Sequence, residues 1–391
     1  MSPYLQKKLQ EVYLNFHRGD YKKVRDFFSK SFKQVKNNPE TLHQFAQILL
    51  DMKQIDLSIQ YSEAALKNND IPEFMNTLGL AYKDKKEYEK ARHYFEKSLE
   101  LKSDFVPAHN NLADVFQDTH DYEESLKCYN HALKNRPDSQ YTMAHRGVLY
   151  LKMNDPRAAL NDFNKVLALS PFDIFCLGHK AIALTELGMV DEERELINFE
   201  ELIYQNILPT KELNEKIESY IKGHHSITKN PDGVSTTKGL QTMGNLFLDD
   251  SKIIQEIKSH VQNEVSQYIK KLPHNNHPHI QSIPKQLDMV AWGVSLEEQG
   301  YQAPHIHFGG WVSGVYYVNA PTNQDDPENL GWIRFGQGPK ELYKNNKPLE
   351  KLICPEDSMI VLFPSFFWHH TIPFKTEKQR VSLAFDGIPI A

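Results

Sequence analysis

The chain has 391 residues, 40% of them hydrophobic and 25% charged, with a formal charge of −6 at pH 7. That is the make-up of a soluble globular protein too long for one ordinary core, so two domains are expected. The acidic balance argues against nucleic acid or an anionic membrane as a partner, and no run approaches the roughly 18 apolar residues of a membrane span. Cys128, Cys176 and Cys354 are odd in number and far apart, the pattern of free thiols in a reducing compartment. The opening MSPYLQKKLQEVYLNF lacks the apolar core of a signal peptide, so a cytoplasmic location is expected.

The first half repeats. EFMNTLGLAYKDKKEYEKARHYFEKSLEL (73–101) and AHNNLADVFQDTHDYEESLKCYNHALKNRP (108–137) align at a shift of 34. Small residues recur at Ala46, Gly79, Ala113, Gly147 and Ala181, and again at Ser58, Ala91, Ser125 and Ala159. Aromatics keep phase at Tyr82, Phe116 and Tyr150 and at Phe95, Tyr129 and Phe163, while Pro137 and Pro171 close units. Small residues let paired helices approach, and aromatics fill the gaps between units. This resembles the tetratricopeptide repeat, clearly over 39–173, with a degenerate first unit (5–38) and a capping helix (174–195). The resemblance implies an all-α superhelix over 1–195 whose groove takes extended peptides. Asn76, Asn110 and Lys83 would face that groove, as a peptide clamp or as a solvated polar face.

The 34-residue period ends near 190. A helix is expected at about 209–223 and an amphipathic one at 250–272, separated by a polar, Gly- and Pro-punctuated stretch. From about 286 the texture turns to short β-like runs: LDMVAWGVSL, WVSGVYYVN, WIRFG, SMIVLFPS and RVSLAFDGI. Short strands divided by turn signals imply a sandwich or barrel. The fold class is therefore α+β in two domains, 1–195 and 196–391, the second a β core over 286–391 with supporting helices.

Chemistry concentrates in this β half. In PHIHFGGWVSGVYYVN (304–319), His305 and His307 share a strand face or its end. His369 and His370 follow in FPSFFWHHTIPF. Alternation puts Arg380, Ser382 and Ala384 on one face of RVSLAFD, and Ser313, Val315, Tyr317 and Asn319 on one face of SGVYYVN. An arginine turned into a small barrel asks for an anion.

Together, TTKGLQT (236–242), AWGVSLEEQGYQAPHIHFGGWVSGVYYVNAP (291–321), GWIRFG (331–336), VLFPSFFWHHTIPF (361–374) and RVSLAFD (380–386) resemble the Fe(II)/2-oxoglutarate oxygenases that follow tetratricopeptide repeats, prolyl and aspartyl hydroxylases among their relatives. The resemblance implies a double-stranded β-helix, or jelly roll, using Fe(II), 2-oxoglutarate and O2. It assigns His305, His307 and His369 to the metal and Arg380, Ser382, Tyr317 and Ser313 to the co-substrate, with no catalytic group beyond the metal centre. A peptide or protein held by the repeat groove is the implied substrate, and hydroxylation the implied outcome.

Position 307 departs from the family, which has Asp or Glu there. Three readings stay open: His307 is itself a ligand, or only His305 and His369 bind with His307 behind them, or the site is dead. Glu297, Glu298, Asp325 and Asp326 are expected on loops, and nothing in their spacing recommends them as ligands. His370 reads as structural, PHNNHPHI (with His274, His277 and His279) as a solvated loop, and Trp311, Trp332 and Trp368 as core or pocket wall. Lys238 and Gln241 are candidates for the entrance. A repeat adaptor with an inactive β domain, or a three-histidine cupin-type dioxygenase needing no co-substrate, are the competing functions.

Overall fold

The computed structural model describes residues 3–67, 69–231, 233–322, 325–374 and 378–390. Contacts divide the chain into two units: one runs up to Phe16 and over Asp20–Lys165, the other takes His17–Gly19 and Val166 onward.

The first unit is built from helix pairs: Pro39–Asp51 with Ile55–Leu66, Pro72–Asp84 with Tyr88–Leu101, Val106–Asp118 with Tyr122–Asn135, and Gln140–Lys152 with Pro156–Leu169. Each pair turns on one residue in the left-handed region, at Lys53, Lys86, His120 and Asn154 (φ 53°, 63°, 64° and 62°). The residue after each donates its N–H back to the first helix, as Gln54 to Leu49 O at 2.8 Å and Asp121 to Phe116 O at 2.8 Å. Such bonds satisfy carbonyls that the helix end leaves free.

The periodic small residues have a steric cause. A Cβ at Gly79 would lie 2.5 Å from the Phe95 ring, and one at Gly147 2.4 Å from Phe163. The hydroxyls of Ser58 and Ser125 donate to Ala46 O and Ala113 O, each at 2.8 Å. The degenerate first unit is a pair as well, Pro3–His17 and Tyr21–Val35, and Phe28 of its second helix meets Phe45 edge-on at 5.3 Å.

Two groove expectations need correction. Asn76 and Asn110 are buried and bonded within the stack, Asn76 accepting from Asn111 Nδ2 at 2.8 Å and Asn110 from Thr142 Oγ1 at 2.9 Å. Lys83 is paired with Asp114 at 2.9 Å. They hold neighbouring repeats together and form neither a solvated face nor a free clamp.

The domain boundary also moves. Helices Ile174–Leu187 and Val190–Leu196 start 34 residues after Gln140 and Pro156, so they keep the period, yet they belong to the second unit. The reasons are specific. Trp368 Nε1 donates to Gly178 O at 2.9 Å. The buried Glu186 carboxylate accepts the N–H groups of Lys344, Asn345 and Asn346 at 3.0, 3.0 and 3.2 Å. Glu193 accepts from Leu349 N at 2.9 Å.

The β core comprises β1 (Tyr204–Ile207), β2 (Ile227–Lys229), β3 (Thr236–Thr242), β4 (Leu287–Gln302), β5 (Val312–Asn319), β6 (Ile333–Phe335), β7 (Lys351–Ile353), β8 (Met359–Pro364), β9 (His369–Thr371) and β10 (Arg380–Pro389). They form a seven-stranded sheet, β1-β8-β5-β10-β4-β3-β2, and a three-stranded one, β7-β6-β9, antiparallel throughout. Phe335 of the small sheet packs on Phe363 of the large one at 4.9 Å. These two antiparallel sheets are what the structure shows of the expected jelly roll. The core starts earlier than 286, because β1–β3 complete the edges of the large sheet.

The two expected helices are Lys211–Gly223 and Lys252–Lys271. The first lies on the large sheet's outer face, where Asn214 bonds the Tyr316 hydroxyl and a Cβ at Gly293 would meet Ile221 at 2.6 Å. Adjacent strand residues face opposite ways, so Tyr317 is turned inward. No described helix is long and apolar enough to cross a membrane.

Candidate metal centre

Two of the three histidines are set by main chain. His305 and His369 form an antiparallel bridge, each N–H donating to the other's carbonyl at 3.1 and 3.2 Å. Their side chains therefore leave the backbone side by side, with rings 4.2 Å apart. His307, two residues along, brings its ring 5.0 Å from His305 and 5.1 Å from His369. The three offer donor atoms all within 4.8 Å of one another.

Their outer nitrogens are already engaged. His305 Nδ1 meets Ala303 O at 2.7 Å, and His369 Nδ1 meets Phe367 O at 2.9 Å. A carbonyl only accepts, so both Nδ1 atoms carry the proton and both Nε2 atoms keep a lone pair. His307 Nδ1 faces the Asp386 carboxylate at 2.6 Å, which leaves its Nε2 buried with no partner among the described residues. Burial, then the neighbouring His307, pushes His305 down to about 3. Burial and the other two imidazoles hold His369 well below the usual histidine value. His305 Nε2 has the Ser235 hydroxyl nearby at 3.4 Å, a long contact that a metal ion could displace; Nε2 lone pairs aimed at one point are what a metal ion requires.

The same cavity is lined by Tyr317 and Arg380. Arg380 is 2% exposed; its guanidinium lies over the Tyr317 ring at 4.9 Å, and Nη1 donates to Thr371 Oγ1 at 3.3 Å. The Tyr317 hydroxyl interacts with the Arg380 side chain, but neither it nor Arg380 Nε has a well-formed hydrogen bond among the described residues. A guanidinium keeps its charge in a protein, so a buried one beside unsatisfied donors is built for an anion.

The remaining candidates fall elsewhere. Ser313 is buried but spends its hydroxyl on Asp386 at 2.7 Å and Ser365 at 2.8 Å, because it faces Asp386 across the β5–β10 ladder. Ser382 is buried between Arg380 and Ala384, which line the cavity while it does not. Lys238 reaches out to Gln299 at 3.1 Å and Gln241 accepts from Thr236 at 2.8 Å, so neither forms an entrance. Glu297 and Glu298 lie on β4 instead of a loop, Glu297 pairing with Lys229 at 3.0 Å. Asp326 caps Glu328 N at 2.8 Å.

His370 lines the cavity with an unpartnered Nδ1 but stands outside the three-histidine group. His277 and His279 are not in a solvated loop. His279 begins the short helix Pro278–Gln281 as its second residue, is fully buried and stacks on Trp311 at 4.2 Å; Trp311 and Trp368 are core.

Asp386, bonded to His307, is the member of this cluster that sequence reasoning passed over. It has the same parity as Arg380, Ser382 and Ala384, so alternation along RVSLAFD already put it on their face.

Residues 290–386 match the family described as "Putative 2OG-Fe(II) oxygenase". Residues 39–70, 72–105 and 104–171 match tetratricopeptide-repeat families. No curated protein matches the chain. Among solved structures, a thermophilic TPR protein of Thermus thermophilus is 19% identical, covering 46% of this chain and 98% of its own (TM-score 0.38). YrrB, a TPR protein with an unusual peptide-binding site, is 17% identical over 43% of this chain and 91% of its own (TM-score 0.36). MamA is 20% identical over 38% and 92% (TM-score 0.33).

Proposed function

From a chain that carries tetratricopeptide repeats ahead of a 2OG-Fe(II) oxygenase domain, we propose that the second unit is an Fe(II)- and 2-oxoglutarate-dependent dioxygenase that hydroxylates a peptide or protein. One observation carries this reading: three converging imidazoles and a buried arginine with no carboxylate partner among the described residues line one cavity. The orphaned polar atoms fit the two groups the family uses. His307 Nε2 suits a metal; Arg380 Nε and the Tyr317 hydroxyl suit a carboxylate.

His305, His307 and His369 would hold the iron through Nε2, in neutral form, with their Nδ1 bonds fixing ring direction. Bound iron and 2-oxoglutarate together supply the oxidising power, spending O2 and releasing succinate and CO2. Arg380 would clamp the far carboxylate of the keto acid, with the Tyr317 hydroxyl as a second donor. The surrounding Phe363, Val315 and Ile333 walls exclude water and so strengthen that ion pair. The imidazole triad alone would also suit a cupin-type dioxygenase, but such a site gives Arg380 nothing to bind.

A groove of the repeat unit lined by Gln44, Gln47 and Leu80 supports a peptide as guest, since the two neutral side-chain amides match main-chain donors and acceptors. Anaerobic titration of the protein with Fe(II) and then 2-oxoglutarate is expected to produce a visible charge-transfer band, and succinate is expected on admitting air and peptide substrates. Arg380→Ala is expected to weaken 2-oxoglutarate binding about 30-fold or more, in line with roughly 2 kcal/mol or more for a buried charge pair. Absence of both the band and succinate would remove the proposal; substrate oxidation that needs no 2-oxoglutarate and is unchanged by Arg380→Ala would favour the cupin-type enzyme.

A further inference from the structure

The iron site of non-haem oxygenases commonly joins two histidines with a carboxylate on one face of the metal. Here the three converging groups are all imidazoles, and the carboxylate stands one ring further out. Asp386 Oδ1 accepts from His307 Nδ1 at 2.6 Å and from Ser313 Oγ at 2.7 Å. Ser313 Oγ is 2.8 Å from Ser365 Oγ, and Ser365 O accepts the His307 main-chain N–H at 3.0 Å. Ring and backbone of His307 are thus tied to one small polar cluster.

Space for that cluster is made by Gly310. A Cβ there would lie 2.6 Å from Ser365 Oγ and 3.3 Å from the Asp386 Cβ. The Trp292 ring packs beside the His307 ring, tilted 32° with centroids 5.5 Å apart. The buried Nε2 has no hydrogen-bond partner among the described residues, and the three histidines' donor atoms lie within 4.8 Å of one another.

We propose that Asp386 is a positioning residue of the metal centre: acting through His307, it supplies the ligand orientation and the negative charge that a directly bound carboxylate would supply. This rests on the reading of His305, His307 and His369 as the metal ligands. The carboxylate fixes the tautomer with Nδ1 protonated, aims Nε2 and makes it a stronger donor. It also balances charge. A divalent ion with three neutral imidazoles and Asp386 carries a net +1, the same as with two imidazoles and one bound carboxylate.

The test uses full-length protein, anaerobic, with Co(II) as a visible probe of affinity and geometry. Asp386→Asn is expected to bind Co(II) about 10- to 100-fold more weakly, the usual effect of losing such a partner, with shifted d–d bands. In a His307→Asp background the carboxylate is a ligand already, and there Asp386→Asn is expected to cost less than about threefold. If Asp386→Asn does not fold, judged by circular dichroism, Asp386→Glu carries the test, keeping the charge but displacing it, with about tenfold weaker binding expected. Wild-type affinity and spectrum in the variant would overturn the inference, as would equal losses in both backgrounds, which mark a purely structural role. Failure of the wild type to bind Co(II) at all would instead remove the three-histidine reading, and this inference with it.

Discussion

His279 shows what one buried side chain does to a whole unit. The Tyr268 hydroxyl has a single proton, donated to Leu202 O at 3.0 Å, so it accepts from His279 Nε2 at 2.8 Å. His279 Nδ1 is then a lone pair with no partner among the described residues, in a fully buried ring. Burial, with His277 adding to it, holds its pKa well below 6.5. The folded value lies below the unfolded one, so protonation favours unfolding. The stabilising contribution is complete above pH 6.5 and is lost as pH falls from there toward the folded value. Thermal melts followed by tryptophan fluorescence should show stability declining between about pH 7 and pH 5, and His279→Leu should flatten that slope. None of this was legible in PHNNHPHI, where Pro and Asn gave the segment the look of a surface loop. Alternation placed His305 with His307 and turned Arg380 inward, whereas gathering His369 with them rested on the resemblance to the oxygenase family, because 64 residues separate it from His305. The Asp386–His307 contact spans 79 residues, and only the parity of position 386 hinted at it.

Secondary structure was legible where an element was long enough to show a period. Helix pairs announced themselves through small residues whose place is fixed by a ring beneath them, as Gly79 above Phe95. Strands β4, β5, β8 and β10 showed apolar runs. Strands β2, β6, β7 and β9 have three residues each, too few to alternate, and of these only β6 fell within a recognisable run, WIRFG. The loop 344–346 is likewise silent in sequence, since its geometry comes from Glu186, 158 residues upstream. That carboxylate accepts three main-chain N–H groups and Asn345 Nδ2 at 3.1 Å. Residues 344–346 are exposed, so water can take over as acceptor in Glu186→Ala, and the cost is expected at about 1–2 kcal/mol, on the order of the net worth of one or two hydrogen bonds. Urea unfolding should report a loss of that size, with Glu186→Gln falling between the variant and the wild type.

At the scale of the molecule, counting repeats and counting contacts give different borders. The 34-residue rhythm runs through Val190, whereas the contacts divide at Lys165 and Val166. A fragment spanning 196–391 would lose the Gly178 carbonyl that holds Trp368 and both buried carboxylates that hold 344–349. It should aggregate or remain partly unfolded, while a fragment starting before Pro156 should give a cooperative melt; size-exclusion chromatography and calorimetry distinguish them. The bridge between His305 and His369 has a consequence of its own for the chain's topology. Those residues are 64 apart, and four strands, β5 to β8, are threaded between them. An ion gripped from both ends would act as a non-covalent cross-link on that loop, removing entropy from the unfolded chain as a staple does. Loading the centre and stabilising the β core would then be a single event, and a chain folding without the ion would do so without that tie.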